Sequence, residues 1–277
     1  YKWVESYEPQ LFSKIQKLVK KRKWHVMGGW FLQPDCNMPS GESFVRQIQV
    51  GKLYFKKKFG MEPKTAVNLA PFGHSRGLGQ ILRRSGCTSY LFCRPDRKEL
   101  SLASDDFVWV GYDGSEILAH RARYHYNSEK GKARNRVEKW LAENTEQEIG
   151  LLLWGIGDHG GGPSRQDLEE LNRIRNQKSG WRIRHAKPED YFKVLEKKKD
   201  QLPRYAQDLN PWAVGCYTTM ALVKQKYRKL ENTYFLTEKM ATQAALQGII
   251  KYPREELHQA LEDLLFCEFH DVLPGSS

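Results

Sequence analysis

The chain has 277 residues, 40% hydrophobic and 28% charged, enough for one large α/β domain or two smaller ones with a real core. Its 45 Lys+Arg against 33 Asp+Glu leave it formally +12, a balance that suits a polyanion, yet the bases sit in short runs (residues 17–23, 56–58 and 197–199) at predicted helix ends, as a solvated helix face places them. Five widely spaced cysteines with no Cys-x-x-Cys pair argue against a zinc knuckle and for reduced thiols in a cytoplasmic protein, and no apolar run approaches the length that spans a bilayer.

Residues 7–22 carry helical periodicity. Residues 24–31 read as a strand whose paired Gly28-Gly29 implies close approach of another backbone. A polar loop from Asp35 to Glu42 follows, suited to bind hydroxyl groups or to cap the helix predicted over 43–59. An apolar strand over 65–70 then stops at Pro71, and a helix is predicted over 77–85. That handover marks the carboxyl end of a buried parallel strand, where α/β proteins keep their ligand chemistry. Its last residue, Ala70, has no chemistry to offer there. A third strand is predicted over 89–93, ending in Arg94-Pro95.

Asp113-Gly114 between alternating runs predicts a hairpin over 107–119. A polar helix is expected over 129–144, a buried strand over 148–157, a helix from about 165, a strand over 181–185 and a helix opening at Pro188. This repeated strand–helix order predicts a parallel sheet or an incomplete barrel over residues 1–202. After Pro203 the spacing turns to threes and fours, first from Met220 to Ala241 and then beyond Pro253. Residues 203–277 are therefore expected to form a helical bundle packed beside the α/β part.

Four groupings have chemical potential. Gly157-Asp158-His159-Gly160-Gly161-Gly162-Pro163 follows a buried strand; Asp158 is either a general acid or the cap of a tight βα turn. A phosphate cradle is weakly supported, because no Lys or Ser/Thr stands where a P-loop needs one. His270-Asp271 ends an amphipathic helix; His270 is either a metal ligand with its neighbour or an imidazolium that complements the helix C-terminus. His74 and Ser75 lack a Gly-x-Ser-x-Gly elbow, so His74 reads as a structural hydrogen-bonding group. The loop from Asp35 to Glu42 is the fourth.

Taken in order, several stretches resemble glycoside hydrolase family 38, the class II α-mannosidases, in its bacterial cytosolic branch. They are Gly28-Gly29-Trp30 with Asp35, Pro39-Ser40-Gly41-Glu42-Ser43 with Arg46-Gln47, Pro71-Phe72-Gly73-His74-Ser75 with Gln80-Ile81-Leu82, the 157–163 run, Gly215-Cys216-Tyr217-Thr218, and Phe269-His270-Asp271 with Pro274-Gly275-Ser276. The resemblance implies a seven-stranded α/β barrel, a helical bundle and β-sandwich domains. It also implies retaining exo-α-mannosidase chemistry through a covalent glycosyl-enzyme, assisted by zinc. It makes His270 a zinc ligand, Asp271 and Asp35 sugar contacts, Phe72 the floor beneath the sugar ring, Arg94 a contact to sugar or nucleophile, and Asp158 the general acid. The nucleophile position falls on Ala70.

The family's His-x-Asp metal pair and its strand are expected upstream of Tyr1, and the β-sandwich domains beyond Ser277. With Ala70 and one remaining metal ligand, the chain as it stands is expected to be inactive. An alternative is a non-catalytic carbohydrate-binding or scaffold relative. The expected partner is an α-mannoside or oligosaccharide, with no nucleic acid and no membrane. A sheet lacking its first strand leaves an open edge that invites homo-oligomers.

Overall fold

The structure, a computed structural model, describes residues 1–157, 160–176 and 180–276. It opens with α1 (Lys2–Tyr7) and α2 (Pro9–Lys20). The predicted 7–22 helix thus begins at Pro9. Proline fits the first helical turn because it has no N–H to satisfy, and it pushes Glu8 before it to φ −133°, ψ 58°. Helix α3 (Gly41–Phe59) is capped by the Ser40 hydroxyl, which accepts from the Ser43 N–H, and it ends at Gly60 in the left-handed region.

The sheet has strands β1 (Thr65–Asn68), β2 (Ser89–Phe92), β3 (Asp106–Val110), β4 (Glu116–Arg121) and β5 (Arg204–Tyr205), in the order β1-β2-β4-β3-β5. Helix α4 (Arg76–Arg84) crosses from β1 to β2, which run parallel, and β2 runs parallel to β4. The predicted hairpin is present as the antiparallel β3/β4 pair. At its tip Gly114 has φ 77°, and the Asp113 carboxylate accepts from the Ser115 N–H at 2.9 Å.

Both faces of the sheet are covered, which is why its strands read as apolar runs. On one side Phe44, Ile48, Leu78 and Leu82 of α3 and α4 pack on Tyr90, Phe92, Phe107 and Trp109. On the other, Tyr191, Phe192 and Leu195 of α7 (Pro188–Glu196) meet Val67, Leu91, Val108 and Leu118. Helices α5 (Ala133–Glu143) and α6 (Arg165–Arg175) share a smaller core around Ala133, Leu171 and Ile174. The chain then forms α8 (Ala221–Leu246) and α9 (Arg254–Cys267), whose facing sides bury Tyr227, Tyr234, Leu257, Leu261, Leu264 and Leu265.

Three predicted strands are not strands, and each has a local cause. In 24–31, Gly28 and Gly29 are both left-handed, at φ 91° and 79°, and two such residues in a row break the extended backbone of a regular strand. The segment touches β1 through one bond, from the Gly28 N–H to the Thr65 carbonyl at 3.2 Å. The close approach predicted there is real, and its partner is α3. A Cβ on Gly51 would lie 2.3 Å from the Trp30 carbonyl carbon. Residues 148–157 lie under a tryptophan instead of in the sheet, since a Cβ on Gly150 would meet Trp140 at 2.2 Å. Residues 181–185 follow left-handed Gly180, and Trp181 meets Trp140 edge-on at 5.4 Å. Apolar periodicity reports burial, not hydrogen-bonded pairing. Among the described residues the sheet is therefore five-stranded and mixed, not a seven-stranded parallel barrel.

Candidate functional site at the strand edge

Ala70 lies just past the end of β1, and Arg94 just past the end of β2. The Arg94 guanidinium donates through Nη1 to the Ala70 carbonyl at 2.8 Å. Its plane lies against two aromatic rings, 5.7 Å from the Phe72 centroid and 5.3 Å from that of Trp212. Its Nε is buried with no hydrogen-bond partner.

His74 fixes this corner from behind. Its Nε2 is 2.7 Å from the Arg94 carbonyl and its Nδ1 is 2.7 Å from the Tyr90 hydroxyl. A carbonyl can only accept, so Nε2 carries the proton and Nδ1 accepts from Tyr90. Burial drives the His74 pKa down to about 4, which keeps the ring neutral and this pattern intact. The structural role predicted for His74 is the one observed.

His270 reaches the same edge from the end of α9. Its Nδ1 lies 2.9 Å from the Gln33 carbonyl, which can only accept, so Nδ1 bears a proton and Nε2 is turned toward Asp271. Gln33 joins the two sides, because its side-chain oxygen accepts from the Leu69 N–H at 2.8 Å. One residue therefore ties the end of β1 to the end of α9. Asp271 is partly exposed, and its Oδ2 stands 3.5 Å from the His270 Nε2.

Asp35 is fully buried. Its Oδ1 accepts from the Asn37 and Met38 N–H groups at 3.0 and 2.7 Å, and its Oδ2 from the Tyr217 hydroxyl at 2.9 Å. Burial raises its pKa, and these donors oppose the rise. Both oxygens are engaged in holding the loop. Asn37 and Asn210 exchange amide hydrogen bonds at 3.2 Å in each direction. Gly73 lies so close that a Cβ there would fall 1.8 Å from the Asn210 Oδ1.

Below this edge lies a pair of buried carboxylates, Glu231 of α8 and Glu268 after α9. The Tyr227 hydroxyl is 2.9 Å from Glu231 and 3.2 Å from Glu268. Tyr227 has one proton to give, so one contact needs a proton from the other side. Burial pushes the Glu268 carboxyl up to about 7, whereas the Ser43 hydroxyl and the Ser40 N–H hold Glu231 below its ordinary value against the effect of burial. Of the two carboxyls Glu268 is the one that takes up a proton more readily, and once protonated it can donate to Tyr227, which donates to Glu231. The backbone of Glu268 in turn accepts from the Asp35 N–H at 2.7 Å.

Of the site residues predicted from sequence, the structure gathers Ala70, Phe72 and Arg94 around one guanidinium and links His270 and Asp271 to them through Gln33. Asp158 lies outside the described residues. Gln33, Trp212, Tyr217 and the Glu231–Glu268 pair were not singled out. Only Tyr217 carried a signal, within its Gly-Cys-Tyr-Thr motif. Among the described residues no three His, Cys, Asp or Glu side chains are grouped to hold a metal, and of the positions that the resemblance gives to zinc ligation only His270 lies among them.

Residues 1–213 match the Glycosyl hydrolases family 38 N-terminal domain and residues 212–277 the alpha mannosidase middle domain. Alpha-mannosidase G of Dictyostelium discoideum is 30% identical over 285 residues, spanning 100% of this chain and 26% of that protein. Alpha-mannosidase 2C1 of Homo sapiens is 31% identical over 280 residues, spanning 99% of this chain and 27% of that protein. The chain thus spans about a quarter of the length of these relatives. The crystal structure of an alpha-mannosidase from Enterococcus faecalis V583 superposes with a TM-score of 0.79 at 19% identity, over 99% of this chain and 33% of that one.

Proposed function

Because the chain belongs to glycosyl hydrolase family 38, we propose that its strand edge is the sugar-binding side of a retaining exo-α-mannosidase and that position 70 is the nucleophile position. One observation carries the reading. Arg94 grips the backbone of residue 70, and Gln33 ties the neighbouring residue to His270. Three positions named from separate motifs therefore share one corner.

In such a hydrolase one carboxylate attacks the anomeric carbon and a second protonates the leaving oxygen. Asp158 is assigned the second task. Ala70 offers a methyl group where the first is needed, so the chain as it stands lacks the attacking group, and the chemical step goes with it. Phe72 gives the sugar an apolar face, Arg94 a fixed positive charge, and Asp271 a carboxylate for hydroxyl groups. Zinc, when bound in this family, steadies hydroxyl groups and developing charge. His270, oriented by the bond from its Nδ1 to Gln33, is the one described residue that would donate to it. The described cysteines are all free thiols, which favours a cytoplasmic setting.

Ala70 itself favours a second reading, a relative that binds mannosides without cleaving them. The two part on one experiment, carried out in the longest form of the protein that carries these residues. Ala70→Asp should raise turnover of an aryl α-mannoside by on the order of 10⁴-fold or more, the scale of a restored catalytic group. No gain in rate, with mannose still bound and no metal required, would favour the binding protein.

A further inference from the structure

We propose that the corner between Ala70 and Arg94 is a binding site for a small planar monoanion, a carboxylate of the size of formate. The inference deepens the reading above, since it rests on position 70 being a carboxylate position.

A guanidinium has five N–H donors and is always charged. Among the described residues, Arg94 makes one hydrogen bond, from Nη1 to the Ala70 carbonyl. Its Nε is buried and unpartnered. Among the described residues no carboxylate within ion-pair distance balances it; the faces of Phe72 and Trp212 do so only in part. The contrast with nearby arginines is direct. Arg97, Arg121 and Arg123 all converge on Asp105, at 2.7, 3.0 and 2.7 Å. Arg94 has no such anchor. The His74 bond to its carbonyl fixes its backbone, and the Phe72 and Trp212 rings flank its guanidinium.

Ala70 and Arg94 are both partly exposed, so an ion from solvent can reach them. A planar carboxylate matches the guanidinium fork better than a spherical ion does, because it can accept two parallel N–H bonds. The side chain of Ala70 is shorter than that of aspartate by one carboxylate. Formate has the size of the missing group and the charge that Arg94 lacks.

The test titrates sodium formate against the full chain at fixed ionic strength, with sodium chloride as the balancing salt. Binding is read by calorimetry and by line broadening of ¹³C-formate. Saturable one-site binding of formate, not shared by chloride, is expected. Ala70→Asp should weaken it at least about tenfold, since the chain then supplies its own anion, and Arg94→Gln should abolish it. If Arg94→Gln fails to fold by circular dichroism, the Ala70→Asp result decides alone. Equal responses to formate and chloride, or undiminished formate binding by Ala70→Asp, would overturn the proposal. The mannosidase reading is judged separately, by turnover. Ala70→Asp that excludes formate yet cleaves nothing would sink that reading and leave the anion site standing.

Discussion

The strand edge and the junction of α8 with α9 handle stranded charge in opposite ways. At the edge, Arg94 is a cation with no anion among the described residues, and it meets a carbonyl and two rings. At the junction, Glu231 and Glu268 are two carboxylates around one tyrosine hydroxyl; burial favours a proton on Glu268, and Arg228 pairs with Glu231. A buried like-charge pair can always be relieved by taking up a proton. A guanidinium cannot be relieved by losing one. The junction is therefore complete in itself, whereas the edge leaves the Arg94 Nε without a partner among the described residues.

If that contrast holds, damage at the junction acts on folding and damage at the edge acts mainly on local order. The largest effect is expected for Leu264→Ala. Leu264 is fully buried between the two helices, and its truncation should cost about 2–5 kcal/mol in urea unfolding. A loss below about 1 kcal/mol would mean that the junction is not the rigid partner it is taken to be.

Acid should act on the edge through His74. The folded ring has its pKa lowered from 6.5 to about 4. Between those values the unfolded chain binds a proton that the folded chain refuses. Stability from this group is thus fully present above about pH 6.5 and is lost as pH falls toward 4, at about 1.4 kcal/mol per pH unit. His74→Gln should lower stability at neutral pH but flatten the acid limb between those pH values. An unchanged acid slope in that variant would show that His74 is not held neutral.

Gly73→Ala should come next. Its Cβ would drive into the Asn210 amide and break the Asn37–Asn210 pair, at about 1–3 kcal/mol. The smallest effect is expected for Tyr217→Phe. It removes one of three donors to Asp35, at about 1 kcal/mol, and should raise the Asp35 pKa further. Unchanged thermal stability would place that hydrogen bond outside the loop's support.

The two regions also differ in how far they could be read from sequence. Helices α3, α8 and α9 and the β3/β4 hairpin follow from local signals, namely the Ser40 cap, the three-and-four spacing and Asp113-Gly114. The strand-to-helix handover at Pro71 places Ala70 at the edge from sequence alone. Residues 24–31, 148–157 and 181–185 misled, because an apolar run between glycines looks the same whether it pairs or only packs. Gln33 was invisible for another reason. Its partners, Leu69 and His270, lie 36 and 237 residues away, and no local pattern encodes such a bond. The orientation of the His270 ring was hidden likewise, since it depends on a carbonyl from that same distant loop.

The claim that residue 70 is where the attacking carboxylate belongs can be tested by trapping. Ala70→Asp protein would be treated with an activated fluoro-mannoside, which forms a glycosyl-enzyme faster than water removes it, and then digested for mass spectrometry. The account predicts a single mannosyl adduct on the peptide carrying residue 70, absent from the Ala70 chain. An adduct on another carboxylate, or turnover of an aryl α-mannoside with no adduct at residue 70, would contradict it.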